Sequence, residues 1–335
     1  MREIDESTLQ HPAPVDTLDQ PMDIGTVIGT AWRHYRLNFF RYLVPALRGT
    51  VWMLVPIGLL FVGLLFMIKQ GLSLGDFSGL TALIVPAWFV LLLWCGAQSQ
   101  GELAGISRSV YQDMIMPEGS GRETLSTALR FTRSRKFSLL GSAVIKGTIL
   151  AAINFVFSCI LIAAVVMIFV GLGVLPGSQP NLRLFFGGGG IVLASSIVFI
   201  WLYIWLALKL LVNEQSLAIE SESGMLISIG HSWKLMRHNV MRSLWIVLLA
   251  SLITLPISLA MAILTQVGHP LLFEQMGIVI TESTALSLGM LPYITFYLLS
   301  SILGLVGGII VKPFFRTVLT TLYFDIKNRK QRIEA

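Results

Sequence analysis

The side chains of this sequence that are best suited to chemistry are arginines and lysines in three short clusters. Each cluster opens with a Trp or Leu followed by a cation, and a second cation comes three residues after the first. Because these side chains are positively charged at neutral pH, they can bind lipid phosphates, and each contributes roughly 1 kcal/mol beside an anionic leaflet. We predict lipid-phosphate contacts for the six cations of this pattern: Arg33, Arg36, Arg130, Arg133, Lys234 and Arg237.

The three clusters occupy equivalent positions in an internal repeat. Alignment on Trp32, Leu129 and Trp233 gives units of about 100 residues, which exceed a solenoid repeat and suit one interfacial helix plus two membrane spans. Apolar residues recur at helical spacing from Ile24 to Phe39, while the arginines fall on other faces. The pattern predicts three amphipathic helices in the membrane interface, with Trp32 and Trp233 as anchors. A simpler interpretation is that the cations only set the topology and hold the bundle at the surface.

Two polar patterns predict where short helices begin. Asp23 precedes the first apolar stretch in the position of an N-cap. Ser120 and Glu123 have the spacing of a capping box, in which a hydroxyl and a carboxylate each satisfy a free amide of the first turn. We therefore predict helix starts at Asp23 and at Ser120.

The composition indicates the class of protein. Hydrophobic residues make up 55% of the chain and charged residues only 13%, and the mean hydropathy is +0.77. Since a soluble domain carries about 25% charged residues, the sequence predicts an all-α, polytopic membrane protein. The net charge of +6 does not indicate nucleic-acid binding, because that requires cations clustered on a solvated face, and here they lie beside apolar segments.

Six apolar segments are long enough to cross a hydrocarbon core of about 30 Å. They form one predicted membrane domain at residues 23–332, with repeats at 23–114, 120–223 and 224–332. Residues 1–22 are acidic and rich in proline, which predicts a disordered tail. The predicted spans are residues 43–68, 79–100, 147–175, a fourth that passes 201–205 and ends near 211, 244–266, and a sixth that ends near 311.

The distribution of Lys and Arg predicts the orientation of the chain. Of 24 such residues, only Lys69 and Arg183 fall in the loops that follow the odd-numbered spans. Cytoplasmic loops are enriched in these residues. We therefore predict that both termini and all three basic helices face the cytoplasm.

Prolines at matching positions of the first and third repeats predict kinks in four spans. These residues are Pro56, Pro86, Pro256 and Pro292. Neighbouring helices can satisfy the carbonyls that a proline frees, so ordinary packing kinks are the simpler interpretation. Kinked spans around a polar cavity would instead favour a small-molecule or lipid transporter.

The sequence contains no catalytic motif and no metal-ligand spacing, so we expect no metal and no other cofactor. An enzyme that acts on lipid headgroups would need carboxylates gathered beside a histidine or a metal. The candidates for that role are Glu214, Glu220 and Glu222. The simpler interpretation is that these carboxylates balance neighbouring Arg and Lys side chains.

Three short segments resemble one known family. Residues 232–237, Ser-Trp-Lys-Leu-Met-Arg, are similar to the Ser-Trp-x-Leu-x-Arg element of the membrane domain that is joined to some bacterial glycerophosphoryl diester phosphodiesterases. Residues 31–36 and 322–330 resemble the opening and closing elements of that domain. The chain has His238 where the family has Gly, and it lacks the His-Arg-Gly motif of the catalytic domain. The resemblance implies an all-helical domain of a bacterial cytoplasmic membrane, without the phosphodiesterase activity.

These observations predict a non-enzymatic membrane module that binds or organises anionic phospholipids and scaffolds a protein partner. Two other functions remain open at this point. One is transport of a small molecule or lipid, and the other is an enzyme acting on lipid headgroups.

Overall fold

The computed structural model describes residues 22–69, 78–116, 123–174, 179–221, 224–275 and 290–334, and it describes their side chains except at 64–69, 78–83, 265–275, 290–299 and 333–334. The described residues form helices and turns, with no strand among them. In chain order the helices are α1 (Ile24–Leu37), α2 (Phe39–Lys69), α3 (Ser78–Ile115), α4 (Leu125–Ser134), α5 (Lys136–Gly171), α6 (Leu182–Lys209), α7 (Asn213–Ile219), α8 (Met225–Leu235), a 3₁₀ turn (Met236–His238), α9 (Val240–Gln275) and α10 (Met290–Glu334).

Five described segments are long and apolar enough to cross a membrane, which defines a multi-pass membrane protein. In α5, only 6% of the most apolar window is fully buried within the protein, so most of its side chains are at least partly exposed. Apolar surface of this extent needs a lipid environment. The predicted second span lies on α3, where the side chains before Ile84 fall outside the described residues. The five segments are Phe39–Gly63, Lys136–Gly171, Leu182–Ile219, Val240–Leu264 and Ser300–Arg332.

The starts of the short helices follow from their caps. The Oδ1 atom of Asp23 accepts a hydrogen bond from the amide of Thr26 at 2.7 Å, which confirms the predicted N-cap of α1. Helix α4 begins at Leu125 behind the N-cap Thr124, not at the predicted capping box. Glu123 forms an ion pair with Arg108 at 2.9 Å. Ser120 lies outside the described residues.

The helices run on through the prolines that were predicted to kink them. Pro56 lies inside α2 and Pro86 inside α3, and the indole of Trp88 donates a hydrogen bond to the carbonyl of Pro56 at 2.9 Å. Pro256 lies inside α9. Pro292 lies in the first turn of α10, where a proline removes no helical hydrogen bond. The kinks themselves stay a prediction.

The buried core lies at one end of the bundle, where the C-terminal parts of α3 and α10 meet α7. The rings of Tyr111 and Tyr323 lie 6.1 Å apart across the contact between α3 and α10, and the Tyr323 hydroxyl reaches Glu220 behind α7 at 2.5 Å. We call this end of the protein the basic end. Its fully buried side chains include Tyr42, Ile106, Val110, Leu217, Val318, Leu322 and Tyr323.

Each basic helix lies on the basic end in a similar way. Helix α1 packs on α10, α4 packs on α3 and α8 packs on α7, so each short helix contacts the last helix of the preceding predicted repeat. The close contact of α4 depends on Gly105, where an added Cβ would lie 2.4 Å from the Leu129 side chain. This cyclic order is compatible with the threefold repeat, which stays a prediction.

Candidate functional site

Five of the six predicted phosphate-binding cations are exposed at the basic end. They have no carboxylate or hydrogen-bond partner within the part of the chain that the structure describes. The sixth is Arg133, whose Nη2 atom lies 2.5 Å from Oε1 of Glu102. We call the exposed group the five free cations: Arg33, Arg36, Arg130, Lys234 and Arg237.

The outward position of these cations follows from the faces that the short helices bury. Helix α1 buries Val27, Ala31 and Tyr35, which recur at a spacing of four residues. Residues three or four apart share one helix face, so Arg33 and Arg36 fall on the other side of α1. Helices α4 and α8 also bury one face. The buried residues are Ala128, Leu129 and Thr132 on α4, and Ser228, Ser232 and Leu235 on α8.

Both predicted anchor tryptophans are partly exposed beside the cations. The side chain of Trp32 is 45% exposed, and its ring meets Phe314 edge to face at 5.7 Å. Trp233 is 40% exposed and meets Trp205 in the same way at 5.4 Å. The Lys209 amino group lies 5.4 Å from the centre of the Trp233 ring. One side of each indole is therefore packed and the other is open, as in an interfacial anchor.

The pair formed by Arg133 and Glu102 differs from the free cations because its carboxylate is buried. The Glu102 side chain is 2% exposed, whereas the Arg133 side chain is 44% exposed. The second oxygen of Glu102 has no partner among the described residues. Arg133 thus neutralises a buried charge on α3 and is less available to a lipid phosphate than its counterparts.

A network around Glu220 joins α7, α8 and α10. Its carboxylate accepts hydrogen bonds from the Tyr323 hydroxyl at 2.5 Å and from the Lys327 amino group at 3.0 Å, and it lies 3.3 Å from Nδ1 of His231. Burial alone raises the pKa of Glu220, but the hydrogen bonds from Tyr323 and Lys327 outweigh it and hold the pKa below its ordinary value. Glu220 is therefore charged at neutral pH.

Of the candidate carboxylates for an enzyme, the structure places Glu220 beside a histidine, His231. His231 has the Ser216 hydroxyl and the Glu220 carboxylate on the same ring nitrogen, Nδ1. A hydrolytic relay needs the nucleophile on one nitrogen and the orienting carboxylate on the other. Ser216 is also fully buried. Glu214 forms ion pairs instead, and Glu222 lies outside the described residues. The described part of the chain holds no group of three or more metal-ligating side chains.

A central cavity of about 570 Å³ lies beneath the basic end, between α2, α3, α5, α7 and α10. Arg316 pairs with Glu214 at 2.6 Å and donates to the amide oxygen of Gln100 at 3.2 Å. Lys146 lies 3.7 Å from Glu214, and Lys312 also lines the cavity. The walls are otherwise mostly apolar, with Met53, Leu92, Leu93, Leu103, Leu140, Leu211, Leu305, Phe315 and Leu319.

Sequence patterns did not single out Lys146, Lys312 or Arg316. Each lies next to an apolar segment, where a cation is expected to mark the end of a span. Only the meeting of α5, α7 and α10 shows that these cations share one cavity.

The fold and the charged end together define an all-helical, multi-pass membrane protein. No protein-family model, no curated protein and no solved structure matches the chain. The resemblance to the phosphodiesterase membrane domain therefore stays a prediction.

Proposed function

We propose that this protein is an integral membrane module whose basic end binds anionic phospholipids. One observation carries the proposal: five cations of the repeated pattern, four on α1, α4 and α8 and one on the 3₁₀ turn after α8, are exposed and have no partner among the described residues. Surface cations on soluble proteins are usually scattered among carboxylates. Here the nearby carboxylates Glu102, Asp113 and Asp325 are buried and paired with other arginines.

The expected strength of binding follows from the number of free cations. Each cation contributes roughly 1 kcal/mol to the free energy of binding near an anionic surface. Five cations together therefore contribute roughly several kcal/mol at low salt. This attraction weakens as salt shortens the Debye length. The half-open Trp32 and Trp233 would hold α1 and α8 at the depth of the headgroups.

We also propose the membrane arrangement of the chain. Helix α3 supplies a sixth span beside the five apolar segments, and α1, α4 and α8 lie in the interface around a pseudo-threefold bundle. Arg329 donates to the carbonyl of Met22, so the two ends of the described chain meet at the basic end. The positive-inside rule would place this end in the cytoplasm, and the family resemblance suggests a bacterial inner membrane.

The test is the selectivity of the surrounding lipids for the protein reconstituted in bilayers. Spin-labelled phosphatidylglycerol and phosphatidylcholine are compared by the fraction that the protein immobilises. We expect selectivity for phosphatidylglycerol at low salt, and its loss when all five free cations are replaced by Gln. The control is Arg183→Gln. Arg183 is an exposed cation in the first turn of α6, at the end of that helix away from the basic end. Equal selectivity in the five-residue variant and the wild type would contradict the proposal.

Transport of an anionic molecule is a second candidate, and the charged central cavity favours it. A transporter needs a polar cavity between spans that carry kinks. Helices α2 and α3, which contain Pro56 and Pro86, line this cavity. A scramblase assay with fluorescent phosphatidylglycerol in vesicles and dithionite outside tests it. Bleaching that stops at the outer-leaflet fraction in protein-containing vesicles would count against lipid transport.

A further inference from the structure

Lys312 stands between two cavities of the protein. It lines the central cavity described above, and it also lines a groove of about 410 Å³ between α9 and α10. The groove is formed by small and apolar residues, and Lys312 is the residue that the two cavities share. The other residues that line the groove between α9 and α10 include Ile257, Ser258, Met261, Gly304 and Gly307.

The amino group of Lys312 turns back along α10 toward the groove. A Cβ placed on Gly308 would lie 2.9 Å from Cε and 3.3 Å from Nζ of Lys312. The side chain thus fills the space that Gly308 leaves open, one helical turn before Lys312 on α10. A side chain at position 308 would displace the amino group.

The charge of Lys312 is not neutralised by the protein within the described residues. Glu214 is the carboxylate in the central cavity, and it is engaged by Arg316 at 2.6 Å and by Lys146 at 3.7 Å. Lys312 forms no ion pair or hydrogen bond with a described residue. Three cations therefore face one carboxylate within largely apolar walls. An uncompensated charge beside hydrocarbon is costly, and such residues mark binding sites for an opposite charge.

We infer that these two cavities together bind one phosphate-bearing amphiphile. Its phosphate lies at the amino group of Lys312, where the groove meets the central cavity and the positive charge is in excess. Its hydrocarbon chain lies in the groove between α9 and α10, where no atom lies within 4 Å of the Cβ position of Gly304. A ligand with a charged phosphate and a hydrocarbon chain would occupy both the cation and the apolar groove that meet at Lys312. This site goes beyond the proposed surface binding, because it uses none of the five free cations and holds a single molecule.

A lipid phosphate and a free phosphate present the same group to Lys312, so the test must distinguish between these two ligands. We would use phosphatidic acid with a photoactivatable diazirine on its acyl chain, added to the full-length protein in detergent micelles. Photoactivatable phosphatidylcholine and competing inorganic phosphate are the comparison arms. Crosslinked peptides are identified by mass spectrometry, and crosslinks at residues 257–262 and 300–308 are expected for phosphatidic acid.

Variants of the two halves of the site give separate readouts. Lys312→Gln should lower the affinity for the probe roughly 10- to 100-fold, as expected when a charge-assisted contact is lost, and Lys312→Arg should retain most of it. Gly304→Leu should block the groove without a clash at its Cβ, because no atom lies within 4 Å of that position. The matched controls are Arg183→Gln for loss of an exposed charge and Gly190→Leu, which also has open space at its Cβ.

Two results would overturn the inference. One is unchanged crosslinking in both Lys312→Gln and Gly304→Leu. The other is complete competition by inorganic phosphate together with wild-type crosslinking in Gly304→Leu, which would show a site for the free anion alone. The variant that lacks the five free cations should still crosslink in the groove. Failure of surface binding and failure of this internal site are therefore distinguishable.

Discussion

The contrast between Arg133 and Arg130 gives the sharpest prediction about stability. Both belong to the repeated cation pattern and both lie on α4, yet only Arg133 is paired with a buried carboxylate. Removing one partner of a buried ion pair costs about 3–5 kcal/mol. Because the Arg133 side chain is 44% exposed and water screens such a pair, we expect about 2 kcal/mol for Arg133→Gln. An exposed, unpaired cation such as Arg130 should cost less than about 0.5 kcal/mol.

The assay is equilibrium unfolding by sodium dodecyl sulfate in mixed micelles with dodecyl maltoside, followed by tryptophan fluorescence. The double variant Glu102→Gln with Arg133→Gln removes the unpaired charge, so it should be more stable than Arg133→Gln alone. Two results would refute the reasoning: equal free energies of unfolding for Arg133→Gln and Arg130→Gln, or no recovery in the double variant.

Two further predictions concern other contacts of the basic end. The pKa of Glu220 is lower in the folded protein than in the unfolded chain, so its stabilisation is present above about pH 4.3 and is lost as the pH falls through the folded pKa. Glu220→Gln should flatten the stability profile in that acidic range, and an unchanged profile would contradict it. Asp325→Asn should release residue 22, because Asp325 accepts a hydrogen bond from the amide of Met22 at 2.8 Å and pairs with Arg242 and Arg329. We expect faster amide exchange at residues 22–24 and no change at Leu125.

Much of the fold could be predicted from periodicity. The apolar stripe from Ile24 to Phe39 identifies the face of α1 that carries the buried Ala31 and Tyr35, and the N-cap at Asp23 fixes where the helix begins. These signals are local, because a helix face and a cap depend on residues within a few positions of one another. Helix α4 begins at Leu125 behind Thr124, later than the predicted start at Ser120, which lies outside the described residues. Glu123 is engaged by Arg108, a contact across fifteen residues that spacing does not show.

The site itself was predictable only in part. The repeat identified the cations, but it treated Arg133 as equivalent to Arg36 and Arg237. Glu102 on α3 pairs with Arg133, whereas Arg36 and Arg237 have no carboxylate partner among the described residues, and this pair distinguishes Arg133 from the other two. Lys312 was missed for the same reason. Its two cavities form where α9 and α10 meet the rest of the bundle, which no local pattern describes.

Native mass spectrometry of the protein released from its own membrane would show directly whether the basic end binds anionic phospholipids. We expect the wild type to retain anionic phospholipids. The variant in which Gln replaces Arg33, Arg36, Arg130, Lys234 and Arg237 should retain fewer of them and keep at most the molecule of the internal site. If both proteins carry the same lipids, or a protein partner and no lipid, the claim is contradicted.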